Sequence, residues 1–427
     1  MIRILAIRSF QSGRALTSIP SPINLNISSE QKTPGILVLN SGSSSLKFTL
    51  FELSDTNLSP VVIGSANGLT VTGDVAPTIS IKPRDDKNIV KSIEVPTHAA
   101  SLELIASHLK ETTQLDIVAV GHRIVHGGTE FTNSSVLDDD AVLRLSTLNS
   151  LAPLHNPHHF AGILAAKSRF PRALQVGVFD TAYHQTLPDY AHLYALPYDL
   201  AKKYRRYGFH GTSHKFVVEK AAKFLGKSTI NAVSFHLGNG CSVACIKDSK
   251  SIDTSMGFTP LAGLMMGSRS GDIDPTVILK LVQEEGMSIE EVSEMLHNKS
   301  GLYGITGCSD SLTVEQGYSN GDPDCVTALN MFCYRAKKVL GSYLAVLNNN
   351  VDCLIFTAGI GENSPLIQQM ICEGLFPVDH GEYSRGQEIC DITDYSGTED
   401  AKVKVLVVKT NEELAIAREC MTFLGTD

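Results

Sequence analysis

From Gly35 onward the chain alternates short apolar runs with amphipathic stretches. Runs at 36–39, 46–53, 117–120, 176–179, 233–236, 242–246, 354–357 and 403–408 are rich in β-branched residues and bounded by Gly, Asn or Asp. That pattern predicts strands. Helix starts are equally legible. Asp274 precedes Pro275 as N-cap and first helical residue, Ser288 and Glu291 have capping-box spacing, and Asn411 precedes EELAIAREC. A long helical pattern runs over about 325–348. Strands and helices interleaved in this way predict an α/β protein with helices against sheets. Two segments echo each other: GILVLNSGSSSLKFTLFEL (35–53) and AVSFHLGNGCSVACIK (232–247) each read as strand, small-residue turn, strand. Two such hairpins predict a duplicated architecture with a cleft between the halves.

Length and charge narrow the picture. A chain of 427 residues predicts two or three domains. With 43% hydrophobic and 19% charged residues it has material for full cores, which excludes a disordered chain. A net charge of −9 argues against a protein that coats nucleic acid, so an anionic ligand must be held by a few placed cations and backbone N–H groups. No apolar run reaches about 18 residues, so no membrane-spanning helix is expected. The 9 cysteines include no C-x-x-C pair and read as free thiols in a reducing, cytoplasmic setting. Residues 1–33 differ from the rest: Arg3, Arg8 and Arg14 precede the first acidic residue, Glu30, among scattered Ser and Pro. A disordered tail, or a start codon placed too far upstream, is the reading favoured for this composition, with an organellar transit peptide as the alternative.

Several motifs carry chemistry. The turn from Asn40 to Lys47 offers a phosphate cradle, with Gly42 for the tight bend, Ser43 and Ser45 for hydroxyls and Lys47 for charge. The turn His236-Leu237-Gly238-Asn239-Gly240 has the same capacity without the charge. Gly359-Ile360-Gly361-Glu362-Asn363 follows a strand and opens a helix, where amide groups and the helix dipole favour a nucleotide. Neither a dinucleotide fingerprint nor a P-loop survives, since Ser364 and Ala221 stand where Gly is required. Arg123 in GHRIVHGG and Arg269 in MGSRSGD are flanked by Gly, placed to reach into a cleft. The His-rich stretches lack zinc-site spacing, and His210 in YGFHGTSH fits better as a donor to a transferring oxyanion. Asp180 ends an apolar strand, where α/β proteins display functional groups. Glu412 is placed to cap a helix or to hold Mg²⁺ through water.

NSGSSSLKF, GHRIVHGG, APLHNP, VFDTAYH, YGFHGTSH, HLGNG, DTSMGFTPLAGLMMGSRSGDIDP, FTAGIGEN and TNEE, in this order over about 36–424, resemble the acetate kinase family. The resemblance implies a two-domain acetate/sugar kinase–Hsc70–actin-like (ribonuclease H-like) α/β fold with a duplicated core. Residues 34–184 with a returning helix at 414–427 would form one domain and 185–413 the other. It implies ATP and acetate as substrates, giving ADP and acetyl phosphate reversibly, with Mg²⁺ or Mn²⁺, in a homodimer that engages neither nucleic acid nor membrane. By analogy Asn40 and Glu412 lie near the metal, and Ser45 and Lys47 near the phosphates. His236, Leu237, Gly238, Asn239, Gly240, Asp310, Gly359, Ile360, Gly361, Glu362 and Asn363 hold the nucleotide. Arg123 grips the acetate carboxylate while Val125, Leu154, Phe209 and Pro260 surround its methyl group. Asp180, His210 and Arg269 form the catalytic set.

This sequence departs from the family pattern at three places. Ser268 stands for Thr, Leu312 stands where an Arg is common near the adenosine, and residues 1–33 are an extension. A propionate or other short-chain acyl kinase on the same scaffold is the nearest alternative, and a non-catalytic actin-like nucleotide clamp a more distant one. A serine hydrolase lacks its G-x-S-x-G elbow.

Overall fold

The fold was obtained as a computed structural model that describes residues 32–42, 45–69, 77–84, 89–92, 97–152, 156–381, 387–396 and 402–425. Most of the N-terminal extension, and Leu154 of the expected methyl pocket, lie outside the described residues. Among the described residues fourteen strands form two sheets. The first contains β1 (Pro34–Ser41), β2 (Ser45–Ser54), β3 (Asn57–Asn67), β4 (Thr78–Pro83), β5 (Ile89–Ser92), β6 (Asp116–Ile124), β7 (Ser135–Val136) and β8 (Leu174–Phe179). Its order is β5-β4-β3-β2-β1-β6-β8-β7. The second contains β9 (Ala232–Leu237), β10 (Cys241–Lys247), β11 (Lys250–Thr254), β12 (Cys353–Thr357), β13 (Ile389–Asp391) and β14 (Lys404–Val408), in the order β11-β10-β9-β12-β14-β13.

The two orders are the same order. In each sheet an antiparallel three-strand meander is followed by two parallel strands and a short antiparallel edge. The first sheet adds only β4 and β5 outside its meander. The echo between the segments 35–53 and 232–247 is therefore a repeat of topology. It is the duplicated α/β core that the resemblance implies.

Alternation along the central strands decides what covers each face. Ile36 and Val38 of β1 point one way, with Val176 and Val178 of β8, and are covered by Ile416, Ala417 and Cys420 of helix Glu412–Leu424. Leu37 and Leu39 point the other way, onto Leu102, Ile105 and Leu109 of helix His98–Thr112. In the second sheet Val233, Phe235 and Phe356 pack on Leu329, Phe332 and Ala336 of helix Pro323–Val346. Ala232 and Ile355 pack on Val217 and Ala221 of helix Gly211–Phe224. All nine cysteines are free and seven are buried. No helix among the described residues is long and apolar enough to cross a membrane.

The chain thus passes between the sheets twice. It leaves the first after β8, through Asp180, and reaches helix Gly211–Phe224 on the second. It returns from β14 through Thr410 and Asn411 into helix Glu412–Leu424, which lies on the first sheet. Asn411 caps that helix, its side chain accepting from Leu414 N at 2.8 Å. Two glycines permit the contacts. A Cβ on Gly211 would lie 2.3 Å from the Asp180 carbonyl oxygen, and one on Gly121 of β6 would lie 2.6 Å from Ile416 Cγ2 and 2.8 Å from Cys420 Sγ. Gly121→Ala should therefore destabilise the protein by about 1–3 kcal/mol, the usual cost of overfilling a packed core. Urea unfolding of the variant measures this.

Candidate active site

The two crossings bring the predicted residues together. Arg123, at the end of β6, donates from Nε to Asp180 Oδ1 at 3.1 Å and from Nη2 to Asp180 Oδ2 at 2.8 Å. The same Nε is 3.5 Å from Glu412 Oε2. One guanidinium therefore meets a carboxylate from each crossing. Burial alone would depress the Arg123 pKa, but Asp180 and Glu412 hold it above its ordinary value. Burial pushes the Asp180 carboxyl up while the guanidinium draws it back. The guanidinium grips both oxygens of the carboxylate, the bidentate geometry in which a buried charge pair is tolerated.

Asn40 and Lys47 are directly paired across the β1–β2 hairpin and so share a face. With Arg123, Thr410, Asn411, Glu412 and Glu413 they line a cavity of about 440 Å³. Ser45 begins β2, where its carbonyl accepts from Gly42 N at 2.7 Å. Asn40 and Lys47 of the first hairpin thus share one open hollow with Arg123 and Glu412.

The second hairpin lies near enough for the Arg123 charge to act on His210 and His236. His210 occupies a left-handed backbone conformation, φ +57°, at the head of helix Gly211–Phe224. A non-glycine residue is held there only by surrounding structure, at a cost of about 1–3 kcal/mol. Its ring stacks on His236 with centroids 4.0 Å apart. Gly240 leaves room beside it: a Cβ there would sit 3.4 Å from Arg269 Nη1 and 3.5 Å from His210 Nε2. Arg269 Nη1 is tied to Pro260 O at 3.2 Å and to Met266 Sδ at 3.8 Å. His210, His236 and Arg269 all have pKa values below their ordinary ones, burial being the largest cause. His236 falls to about 3, with Arg123 adding to the effect of burial. Both rings are neutral near pH 7.

The remaining predicted residues sit on neighbouring loops and helices. Phe209 is buried with its ring edge-on to His126 at 5.6 Å, and Val125 packs half-buried on the same core. Asn239 lies against the Arg269 loop, where Gly267 N donates to its carbonyl at 3.1 Å. Leu237 is fully buried, and Gly238 N donates to Gly240 O at 3.1 Å. Gly359, Ile360, Gly361 and Asn363 belong to the short helix Ala358–Asn363 that follows β12. Asn363 Nδ2 donates to Gly359 O at 2.9 Å. Glu362 in that helix is turned inward, Oε1 accepting from Ala358 N and Thr410 N, each at 2.9 Å, which joins the nucleotide-side corner to the second crossing. Asp310 caps the helix Ser311–Ser319, accepting from Thr313 N at 3.1 Å and Thr313 Oγ1 at 2.7 Å, and Leu312 beside it is exposed.

Sequence reasoning missed a layer behind the histidines. His236 Nδ1 is 2.8 Å from Ser213 Oγ, which is 3.0 Å from Thr410 Oγ1. His210 Nδ1 is 2.9 Å from Ser242 Oγ, which also meets His214 Nε2 at 2.9 Å. The signal available was the pairing of small hydroxyl residues with His in GTSH and HLGNGCS, which spacing alone does not connect.

Comparison with known proteins agrees with the motifs. The model of the acetokinase family matches residues 35–418. An acetate kinase of Coprothermobacter proteolyticus is 46% identical over 401 residues, covering 90% of this chain and 97% of that protein. The crystal structure of Porphyromonas gingivalis acetate kinase superposes with a TM-score of 0.84 at 38% identity, covering 92% of this chain and 100% of that one. That of a propionate kinase from Francisella tularensis gives 0.83 at 41% identity, covering 90% and 98%.

Buried neutral histidines make stability depend on pH. Burial lowers His122, His126 and His184 to about 4 each. The unfolded chain, with histidine pKa near 6.5, binds more protons than the folded one between about pH 6.5 and 4, so stability falls as pH falls through that window. Urea unfolding between about pH 6 and 5 should lose more than ~1.4 kcal/mol per pH unit, the slope a single histidine gives.

Proposed function

The chain belongs to the acetokinase family, and from that premise we propose that it transfers the γ-phosphoryl group of ATP directly to acetate, giving acetyl phosphate and ADP. The observation that carries this reading is the convergence of Arg123, Asp180 and Glu412 with His210 and His236, near enough for the Arg123 charge to act on both rings, and with Arg269 beside His210 at Gly240. Residues 34–184 with 414–427 form one lobe in this reading and residues 185–413 the other, closing on the triphosphate. A homodimer is the assembly the resemblance implies.

Acetate is already ionised near pH 7 and needs no base. In-line transfer then demands positioning and neutralisation of charge on the equatorial oxygens. Arg123 spends Nε and Nη2 on Asp180, which fixes its plane and leaves the Nη1 edge for the acetate carboxylate. Val125, Phe209 and Pro260 close round the methyl group. Arg269, its Nη1 tied to the Pro260 carbonyl, and His210, neutral and held by Ser242, approach the transferring group from one side. Ser45 and Lys47 face the phosphate tail from the other, and the turns at 236–240 and 359–363 receive the nucleotide.

Among the described residues no cluster of three or more His, Cys, Asp or Glu is placed to hold a metal ion. The donor set Asn40 and Glu412 fits Mg²⁺, which keeps several waters and takes one or two carboxylates together with substrate phosphates. Bound there it supplies positive charge to the β- and γ-phosphate oxygens.

A hydroxamate assay with ATP, Mg²⁺ and a panel of short carboxylates tests the assignment. Acetate should give the highest kcat/KM. Propionate differs by one methylene, worth about 1–3 kcal/mol, and a preference for butyrate would overturn the substrate. Arg269→Ala should lower kcat by about 10²–10³ with an unchanged unfolding midpoint. Arg123→Ala should lose turnover and also about 3–5 kcal/mol of stability, because Asp180 is left buried without its partner. Wild-type acetyl phosphate production in both variants would sink the site assignment.

A further inference from the structure

Three residues behind His210 form a continuous hydrogen-bonded line. Ser234 of β9 meets His214 Nδ1 at 2.9 Å, His214 Nε2 meets Ser242 of β10 at 2.9 Å, and Ser242 meets His210 Nδ1 at 2.9 Å. Ser234, His214 and Ser242 are fully buried, while His210 keeps an exposed edge. Each hydroxyl has one proton and each neutral ring has one N–H; an order in which Ser242 accepts from both rings strands its own buried proton, which leaves two orders that run one way along the line.

The two ends decide between them. In one order the Ser234 hydroxyl donates to His214 Nδ1, His214 Nε2–H donates to Ser242, and Ser242 donates to His210 Nδ1. His210 then carries its proton on Nε2, facing Arg269 across Gly240. In the opposite order Ser234 receives a hydrogen bond and its own proton has nowhere to go, since among the described residues its hydroxyl is bonded to His214 Nδ1 alone. An unpaired buried donor costs about 1–3 kcal/mol, whereas a serine oxygen with a spare lone pair costs little. The opposite order would also turn a bare lone pair of His210 toward the site of the anion.

We propose that Ser234, His214 and Ser242 are positioning residues that lock His210 in the tautomer with its proton on Nε2, so that a neutral imidazole donates to the transferring phosphoryl group. The assignment rests on the role of His210 in the proposed kinase reaction. The low pKa of His210, set first by burial and then by His236 and Arg123, keeps the ring in the neutral state the lock requires. His184 shows the same device in a purely structural setting. Its Nε2 donates to the Phe209 carbonyl at 2.9 Å, so Nδ1 accepts from Ser251 Oγ at 2.8 Å.

Long-range ¹H–¹⁵N spectra of the histidine rings in the intact protein test the lock, the His210 signals being those lost in His210→Asn. Near neutral pH His210 should be protonated on Nε2 and bare on Nδ1. Ser242→Ala should give mixed tautomers and a ~10-fold lower kcat, with KM for acetate and for ATP within about twofold of wild type. Ser242→Thr, which restores the hydroxyl, should recover both the tautomer and kcat. A proton on Nδ1 in the wild type, or wild-type kcat in Ser242→Ala, overturns the proposal. If Ser242→Ala does not fold, the wild-type spectrum still decides. His210→Asn separates the two levels of inference: unchanged kcat there refutes the role of His210 itself, while a loss of kcat together with protonated Nδ1 refutes only the lock.

Discussion

The contact between Arg123 and the carboxylates of Asp180 and Glu412 is the constraint on which the rest of the structure depends. A carboxylate as deeply buried as Asp180 is tolerable only with an opposite charge in good geometry. A guanidinium supplies this as a planar fork, which an ammonium cannot. Because Asp180 belongs to the outward crossing of the chain and Glu412 to the return, the pair also fixes where the two sheets exchange segments. Glu362 extends the same arrangement from the other side, accepting Thr410 N beside the return crossing. Packing and charge thus place the hollow lined by Arg123, Thr410, Asn411 and Glu412 where the return crossing meets the first sheet.

A second theme is charge held in check. The site gathers two arginines, a lysine and two stacked histidines, yet the histidines contribute no net positive charge near neutral pH because burial keeps them unprotonated. Formal positive charge there rests with Arg123, Arg269 and Lys47, and the two imidazoles stand neutral beside them. The strained backbone of His210 belongs to the same economy of placement. Its left-handed conformation turns the ring away from capping its own helix and toward Ser242 and Gly240.

How much of this was legible in the sequence follows from burial and range. β1, β9 and β12 are covered on both faces, so they read as continuous apolar runs and were plain. β3, β4, β7 and β13 lie toward sheet edges, are short or mixed in polarity, and were not read; β3 even contains Pro60, which only an edge-like position accepts. Cap signals at Asp274, Ser288 and Asn411 are local and were correct as written. At the site, Gly-flanked Arg123 and Arg269 and the strand-end Asp180 stood out because their neighbours are unusual for surface residues. Their mutual contacts did not, since Arg123 and Asp180 are 57 positions apart. His236, placed by its motif with the nucleotide, stacks on His210, and no local pattern distinguishes the two settings.

The return of helix Glu412–Leu424 to the first sheet has a consequence for biosynthesis. The face carrying Ile36, Val38, Val176 and Val178 is complete as soon as β8 has been made, but its cover lies about 230 residues further along. At roughly 5–20 residues per second, a ribosome needs on the order of ten to fifty seconds to reach it. Throughout that interval a nascent chain presents a bare apolar sheet, a surface suited to a holding chaperone until the last helix arrives.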